Sequence, residues 1–366
     1  MTGRAARHLI LVGGGHAHLH TLRRLRELTG AGIAVTLVTP ARYHYYSGMG
    51  PGMLGGLYTE EQVRIDVQRL AESGGGRCVI GEAAGLDPDC RVLRLTDGRE
   101  LAYDALSLNA GSIVAGLVPA LPGVYPVKPI ANLARAAERL RESGYSATPR
   151  LLVVGGGAAG VEIAGNGRRL LGDRGSVTIA SAGPLLAPFP PRTRELVRAS
   201  FDRRGIHMIE DAPVSGWAEG TAILADGRRI PFDVALVSTG VKPPLFLDNL
   251  GLPLAPDGSL SVNRCLQSTG SPSVFGGGDC IAFEGAPLAR VGVYAVRQGP
   301  LLHANLRAYL DGCPLAPFKP QKRFLQILNL GDGTGVLVRG KIVRHGTLLW
   351  LLKDLIDRRF VRSFQK

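Results

Sequence analysis

The chain is poor in cysteine and in aromatic residues, and it lacks any long apolar run. Its five cysteines, Cys78, Cys90, Cys265, Cys280 and Cys313, are odd in number and none stands at a Cys-x-x-Cys or Cys-x4-Cys spacing. That pattern argues against a disulfide framework and against a zinc site, so no metal is expected. No apolar stretch approaches the roughly 18 to 20 residues that span a bilayer, and Leu9 to Val12 is too short an apolar core for a signal peptide. A cytoplasmic protein, soluble or peripheral on the membrane face, is the expectation. Acids are outnumbered, 30 against 43 Lys and Arg, for a formal net charge of +13. Eleven Lys or Arg against three acids lie between Lys319 and Lys366, so more than half the excess sits in the last 48 residues. The apolar content of this tail favours an anionic membrane or a protein partner over nucleic acid.

What the chain has in abundance is glycine, 50 residues, and much of it serves two copies of one device. Leu11-Val-Gly-Gly-Gly-His-Ala-His18 and Leu152-Val-Val-Gly-Gly-Gly-Ala-Ala-Gly-Val-Glu162 each read as a strand ending in a glycine turn that opens a helix. Glycines permit the tight bend and close backbone approach, and the helix N-terminus offers unpaired N–H groups and a positive dipole to a pyrophosphate. Two such loops predict two dinucleotides and an α/β fold with two Rossmann-like domains.

The surrounding pattern repeats as well. His8 to Val12, a helix from Ala17 to Leu28 and Ile33 to Val38 form a first β-α-β unit. Leu19, Leu22 and Leu25 recur along the helix at three-residue spacing, as a sheet-packing face needs. Tyr43 to Gly56 reads as an aromatic, glycine-rich loop at the carboxyl end of a parallel strand, where such sheets bind ligands. Hairpins around Asp97-Gly98 and Asp226-Gly227 each precede a buried strand, ending in Gly111 and Gly240. The expected division is a discontinuous first domain, 1–125 and 258–318, a second domain, 126–257, and a C-terminal segment, 319–366.

A third element is Thr269-Gly-Ser-Pro-Ser-Val-Phe-Gly-Gly-Gly-Asp279, which resembles the C-terminal flavin fingerprint of two-dinucleotide-domain flavoproteins. With the two loops in this order, the chain resembles the FAD-dependent pyridine nucleotide-disulfide oxidoreductases, in their type II NADH dehydrogenase and sulfide:quinone oxidoreductase branch. Gly-Gly-Gly-His-Ala-His, Tyr46-Ser-Gly-Met, Leu106-Ser-Leu-Asn-Ala-Gly-Ser112, Ala295-Val-Arg-Gln-Gly299 and Lys353-Asp-Leu-Ile-Asp-Arg-Arg-Phe360 are most similar to a group sometimes fused to selenide, water dikinase. The resemblance implies that Gly13, Gly14, Gly15, His16 and Ala17 meet the FAD pyrophosphate and that Gly278 and Asp279 meet the ribityl chain. It implies that Ser47, Gly48, Met49, Ala110 and Gly111 lie along the flavin, which Gln298 approaches from a helix N-terminus. Gly155, Gly157, Ala158 and Gly160 would meet NAD(P)H phosphates, with Glu162 and Gly240 bordering the nicotinamide. Glu162 and Gln298 are the candidate catalytic residues.

Several residues depart from the usual pattern. His18 stands where glycine gives close helix packing. The acid that binds adenine-ribose hydroxyls about 20 positions on is missing from both halves; the first offers Thr39 and Arg42 and the second Ser181 and Ala182, so NADH and NADPH both remain open. Gly165 and Gly167 lie inside the second loop's helix, each at a cost of about 1 kcal/mol against alanine. An impaired nicotinamide site is therefore one alternative. His16, His18 and His20 invite a metal, but no nearby carboxylate or cysteine completes a ligand set. Cys280 is read as a packing residue, and Lys128 as part of the crossover. The helix Leu348 to Phe364 mixes aliphatic, aromatic and basic residues as interfacial helices do, with packing against the domains or a second copy in a homodimer as the other reading.

The expected function is transfer of electrons from NADH or NADPH through FAD to a quinone-like or other small acceptor, with flavin supplying the chemistry. Two alternatives are a flavin-dependent oxidoreductase of sulfur or selenium compounds and a non-catalytic flavoprotein.

Overall fold

The computed structural model describes residues 7–116, 118–142, 148–321 and 323–365; the basic start of the chain, 1–6, lies outside them. Two five-stranded parallel sheets organise the chain. In the first, Arg7–Val12 is central, flanked by Ile33–Thr39 and Ala105–Leu108, with Arg77–Ile80 and Val274–Gly276 outside them. In the second, Arg150–Val154 is central, flanked by Ser176–Ala180 and Val234–Val237, with Ile206–Ile209 and Val124–Pro126 outside. The central strands are buried along nearly their whole length, as parallel strands covered on both faces must be. Each central strand ends in a glycine turn between two neighbours whose chains diverge. Both glycine loops thus open at the carboxyl edge of a sheet, where a ligand can enter.

Each half also carries a three-stranded antiparallel sheet. Ala83–Asp87, Val92–Leu95 and Glu100–Ala102 form one, and Val214–Ala218, Thr221–Leu224 and Arg229–Pro231 the other. The turns at Asp97-Gly98 and Asp226-Gly227 are the expected hairpins. The first strand of each sheet even bulges at the matching place, Ala83/Gly85 and Val214/Gly216. Where the chain passes between the halves, Ile113–Val114 pairs antiparallel with Val241–Lys242.

Two local expectations differ from the structure. The single helix expected over 17–28 is a helix, His16–Arg23, followed by a short one, Arg26–Thr29. Between them the N–H groups of Leu25, Glu27 and Leu28 bond three residues back. The strict three-residue spacing of Leu19, Leu22, Leu25 and Leu28 explains this: a tightened turn keeps Leu25 and Leu28, both buried, on the stripe that a 3.6-residue helix would rotate away. The glycine-rich stretch after Thr39 is also more ordered than a loop. It contains a strand, Tyr43–Tyr45, paired with Arg64–Asp66, a one-turn 3-10 helix, Ser47–Met49, and a helix, Gly50–Leu54, with Pro51 in its first turn. Its glycines serve packing: a Cβ on Gly50 would stand 2.9 Å from Ile130 Cγ2 and 3.0 Å from Leu133 Cδ1, at the start of the crossover helix Ala131–Arg141.

The C-terminal segment is an antiparallel sheet, Gln326–Asn329, Gly335–Arg339 and Ile342–Gly346, followed by the helix Thr347–Gln365. Its first hairpin docks on the helix of the second glycine loop, Ala158–Leu171. Gly165 is the point of contact, since a Cβ there would overlap the carbonyl of Leu330. Arg204 clamps the junction, donating to Leu330 O at 2.6 Å and to Gly165 O at 2.8 Å. Gly167 likewise leaves room for the Leu151 side chain. These helix glycines are close-approach positions and carry no sign of a decayed nucleotide site. Gly165→Ala is expected to lower stability by about 1–3 kcal/mol through overpacking, against the gain of roughly 1 kcal/mol that helix propensity alone predicts. The sign of the change in urea-denaturation midpoint decides between them.

Candidate active site

The first glycine turn is built around Asn109, a residue of the Asn-Ala-Gly motif whose partners are all distant in sequence. Gly13, at φ +89°, and Gly15 are so close to Asn109 that a Cβ on either would overlap it. The Asn109 side chain accepts from the Ala17 N–H at 3.0 Å and donates to Gly277 O at 2.6 Å. It therefore ties the first helix to the turn that carries Asp279. Gly14 packs on Val67, where a Cβ would come within 2.9 Å. His18 fills the position of the missing glycine as a buried strut. Its Nδ1–H donates to Gly13 O at 2.6 Å and its Nε2 accepts from the Ser107 hydroxyl at 2.8 Å. Burial pushes its pKa down to about 4, the Gly13 bond opposing, so the neutral tautomer that this geometry needs is the stable one.

Gly15, at the start of the helix His16–Arg23, has no side chain to cap it, and Asn109 takes only the Ala17 N–H, so the turn can present the N–H groups ahead of Ala17 as a pyrophosphate requires. Asp279 sits in the one-turn helix Gly278–Cys280. Its Oδ2 accepts from Ser112 Oγ at 2.8 Å and from Lys128 Nζ at 3.0 Å. Lys128 also donates to Ser112, so it belongs to this cluster as well as to the crossover. Gln298, buried seven residues into the helix Gly292–Asp311, accepts from the Gly278 N–H at 2.7 Å. It holds the Asp279 turn by this bond, from within the helix rather than from its N-terminus. Cys280 is buried, with its thiol directed at Gly277 O and Leu108 O, and burial raises its pKa to about 11. It is a packed thiol. Ala110 and Gly111, at φ +70°, follow Asn109 directly.

Of the residues standing in for the missing ribose acid, Thr39 is buried and donates to Ala41 O at 3.1 Å. Arg42 is exposed and forked onto Asp66 at 2.7 and 3.0 Å. At the second loop, Gly155 (φ +125°) and Gly160 are packing positions, where a Cβ would overlap Ser238 O and Gly155 O respectively. Gly157 and Gly240 instead face open space, and no side chain caps Ala158–Leu171 at Gly157.

Glu162 proves to be no solvated helix residue. Its Oε1 accepts from the Asn329 N–H at 2.8 Å, and burial pushes its pKa up to about 7, with the Lys353 ammonium opposing. Lys353, on the C-terminal helix, donates to Asp357 Oδ2 at 2.7 Å and to Gly48 O at 2.8 Å. Burial works against its charge, yet Asp357 and Glu162 outweigh this and raise its pKa. Tyr46 OH donates to Asp357 Oδ1 at 3.1 Å. The C-terminal helix is thus pinned by buried charge to the turn of Ser47, Gly48 and buried Met49. The Lys353-Asp-Leu-Ile-Asp motif was visible in sequence; its contact with residues 300 positions away was not.

The three histidines of the first helix go to separate surroundings. His16 bonds His44 and packs on Tyr46 and Phe360, His18 braces the loop, and His20 meets His303, with ring centroids 5.6 Å apart.

A family model described as pyridine nucleotide-disulphide oxidoreductase matches residues 7–299. The chain is 28% identical over 378 residues to the demethylphylloquinone reductase NdbB of Synechocystis sp., covering 95% of this chain and 90% of that one. It superposes on the sulfide:quinone oxidoreductase of Aquifex aeolicus with a TM-score of 0.82 at 18% identity, over 98% of this chain and 92% of the other. NDH2 from Plasmodium falciparum superposes equally well, with a TM-score of 0.82 at 13% identity, over 98% and 97% of the two chains.

Proposed function

Because the chain belongs to the pyridine nucleotide-disulphide oxidoreductase family and is an FAD-dependent NAD(P)H oxidoreductase, we propose that its electron acceptor is a small quinone. The observation that carries this choice is the surface around Ser47–Met49. Tyr46, Glu162, Lys353 and Phe360 supply aromatic packing and proton-holding groups there, and among the described residues no cysteine thiol bonds to them. The relative named demethylphylloquinone reductase supports the same class. Bound FAD would take a hydride from the nucleotide and return two electrons to the acceptor.

The chain's own part is to bind, orient and hold protons. Gly13, Gly14, Gly15 and His16 give the FAD pyrophosphate a helix N-terminus, while Ala17, bonded to Asn109, fixes the start of that helix; Asp279 takes ribityl hydroxyls, held in orientation by Ser112 and Lys128. Ser47, Gly48, Met49, Ala110, Gly111 and Gly278 line the flavin, with Gln298 positioning Gly278, while Thr39 and Arg42 border the adenine end. Gly155, Gly157, Ala158 and Gly160 admit the NAD(P)H phosphates, and Gly240 leaves room for the nicotinamide. Glu162, titrating near 7, is poised to hold or release a proton beside it. The first domain, 1–125 and 258–318, would carry FAD, and the second, 126–257, the nucleotide. This division is supported by the two sheets, whose strands separate along it except that Val124–Pro126 begins two residues early.

The test is an anaerobic titration of FAD-loaded protein with NADH and then NADPH, followed by menadione, polysulfide or selenite as oxidant. Bleaching by a nucleotide and recovery fastest with menadione is the expected result. Flavin that stays oxidised with both nucleotides, or recovers faster with polysulfide or selenite, overturns the reading.

The tail, 319–366, is proposed to meet the anionic cytoplasmic face of a membrane. Among the described residues no helix is long and apolar enough to cross one. Leu348, Leu352 and Leu355 are exposed, at 79%, 39% and 64%, on one stripe of the C-terminal helix. Exposed Arg359 and Arg362 continue that stripe, so leucines can enter the headgroup boundary while guanidiniums meet phosphate. Phosphatidylglycerol vesicles are expected to sediment the protein, and Leu348→Glu with Leu355→Glu to leave it in the supernatant. Equal sedimentation of the variant, or a wild-type protein that ignores vesicles and dimerises through this face, rejects the proposal.

A further inference from the structure

His16 and His44 form a half-buried polar pair whose imidazoles have no task in the proposed function, where His16 serves FAD through the helix N-terminus. His16 is the first residue of the first glycine-loop helix, and His44 lies in the strand Tyr43–Tyr45. His16 Nδ1 and His44 Nε2 are 3.3 Å apart, so one proton is shared between them. The other nitrogen of His16, Nε2, is buried without any partner. A buried polar atom left unpaired is costly to a fold, which marks it as an atom waiting for a bound group. The His16 ring is held edge-on to His44, 4.8 Å between centroids, and stacked on Phe360, with 17° between the planes. The point where Gly292 would carry a Cβ lies 3.9 Å from His16 Nε2 and 4.0 Å from Ser47 Oγ. His16 therefore closes on the same space as the flavin-lining turn and the start of the helix Gly292–Asp311.

We propose that His44 and His16 are a neutral two-imidazole relay that carries the solvent proton to the quinone, with His16 Nε2 as the delivering atom. This rests on the quinone reading. NAD(P)H supplies two electrons and one proton, so reduction of a quinone to a quinol draws a second proton from water. His16 Nε2–H gives its proton to a quinone oxygen, His16 Nδ1 takes the proton of His44 Nε2–H, and half-buried His44 receives one from solvent at Nδ1. Each ring loses one proton and gains one, and neither becomes charged. The surroundings favour that route over an imidazolium. Burial, with Lys128 second, lowers His16 to about 4; burial, then His16 and Lys128, holds His44 well below the usual imidazole range. The other groups facing the pair are Tyr46, Phe360 and, beyond Tyr46, the ion pair of Lys353 with Asp357.

The test is His44→Phe, with His44→Gln as a second variant that keeps a polar side chain but cannot switch tautomer. In stopped-flow experiments on FAD-loaded protein, oxidation by menadione is expected to slow at least about tenfold in both variants. Flavin reduction by the nucleotide and reoxidation by ferricyanide, which takes electrons without protons, should change less than about twofold, because neither step draws on a general acid. Imidazole 15N shifts of the wild-type protein should report two neutral rings from about pH 5.5 to 8.5, with the His16 Nε2 signal moving when menadione is added. Menadione rates unchanged in both variants, menadione and ferricyanide rates falling together, or a ring that protonates within that range overturns the relay. A wild-type protein that reduces no quinone overturns the underlying reading instead.

Discussion

Gly160→Val is expected to abolish bleaching of the flavin by NADH and NADPH while FAD stays bound at full stoichiometry. A Cβ at position 160 overlaps the carbonyl oxygen of Gly155. The obstacle is backbone rather than the end of a side chain, so the loop itself must move. Gly155 cannot yield, because its own Cα faces Ser238 O and its φ of +125° suits glycine alone. The first glycine turn belongs to the other sheet and is braced independently by Asn109 and His18, which is why flavin should remain. Loss of the phosphate cradle removes the positioning on which hydride transfer depends, and a displacement of about 1 Å costs on the order of a hundredfold in rate. Absorbance of the purified variant and anaerobic titration with each nucleotide check both halves of the expectation. Flavin lost together with nucleotide reactivity would mean that the two loops are not separable.

Lys353→Met should be the most damaging single substitution in the C-terminal helix. The Lys353 side chain is 13% exposed and that of Asp357 7% exposed, with Nζ and Oδ2 2.7 Å apart. Removing one partner of such a pair strands the other charge and costs about 3–5 kcal/mol, a fall in thermal midpoint of roughly 10 °C. The loss should also depend on pH. Glu162 is held at about 7 in the folded protein against 4.5 when free, so its protonated form favours the folded state. That contribution is complete below about pH 4.5 and disappears as pH rises through about 7, a change on the order of 3 kcal/mol. Without the cation that opposes burial, the window moves to higher pH, and the deficit of Lys353→Met should be larger at pH 8 than at pH 5. Adding Glu162→Gln should remove that extra loss, and thermal unfolding of the two variants at both pH values measures it.

The periodic parts of the fold were legible because they depend on neighbours in sequence. Each glycine loop, the hairpins at Asp97-Gly98 and Asp226-Gly227, and the C-terminal helix are set by turn chemistry and local apolar spacing. The stretch after Thr39 was less legible, since Gly50 and Pro51 resemble loop residues until Ile130 and Leu133 are seen packing on Gly50. The helix glycines misled for the same reason. Gly165 looks like a defect in isolation and is the seat of the Leu330 hairpin in the folded chain. Asn109 lay within the Asn-Ala-Gly motif but gave no sign that its amide bridges Ala17 and Gly277.

The two glycine loops, their order ahead of Asp279, and the basic, amphipathic C-terminus follow from sequence alone, because a phosphate turn and a helix stripe are local patterns of residue type. Tertiary structure decided what those patterns meet. It made His18 a strut for the loop, seated Lys128 and Ser112 on Asp279, paired His16 with His44, and brought Lys353 to Gly48 and Glu162. Apart from the local bond of His18 to Gly13, these partners are 28 to 305 positions apart in the chain. Only a folded chain brings them together, and only burial gives their hydrogen bonds and charges the strength to shape a site.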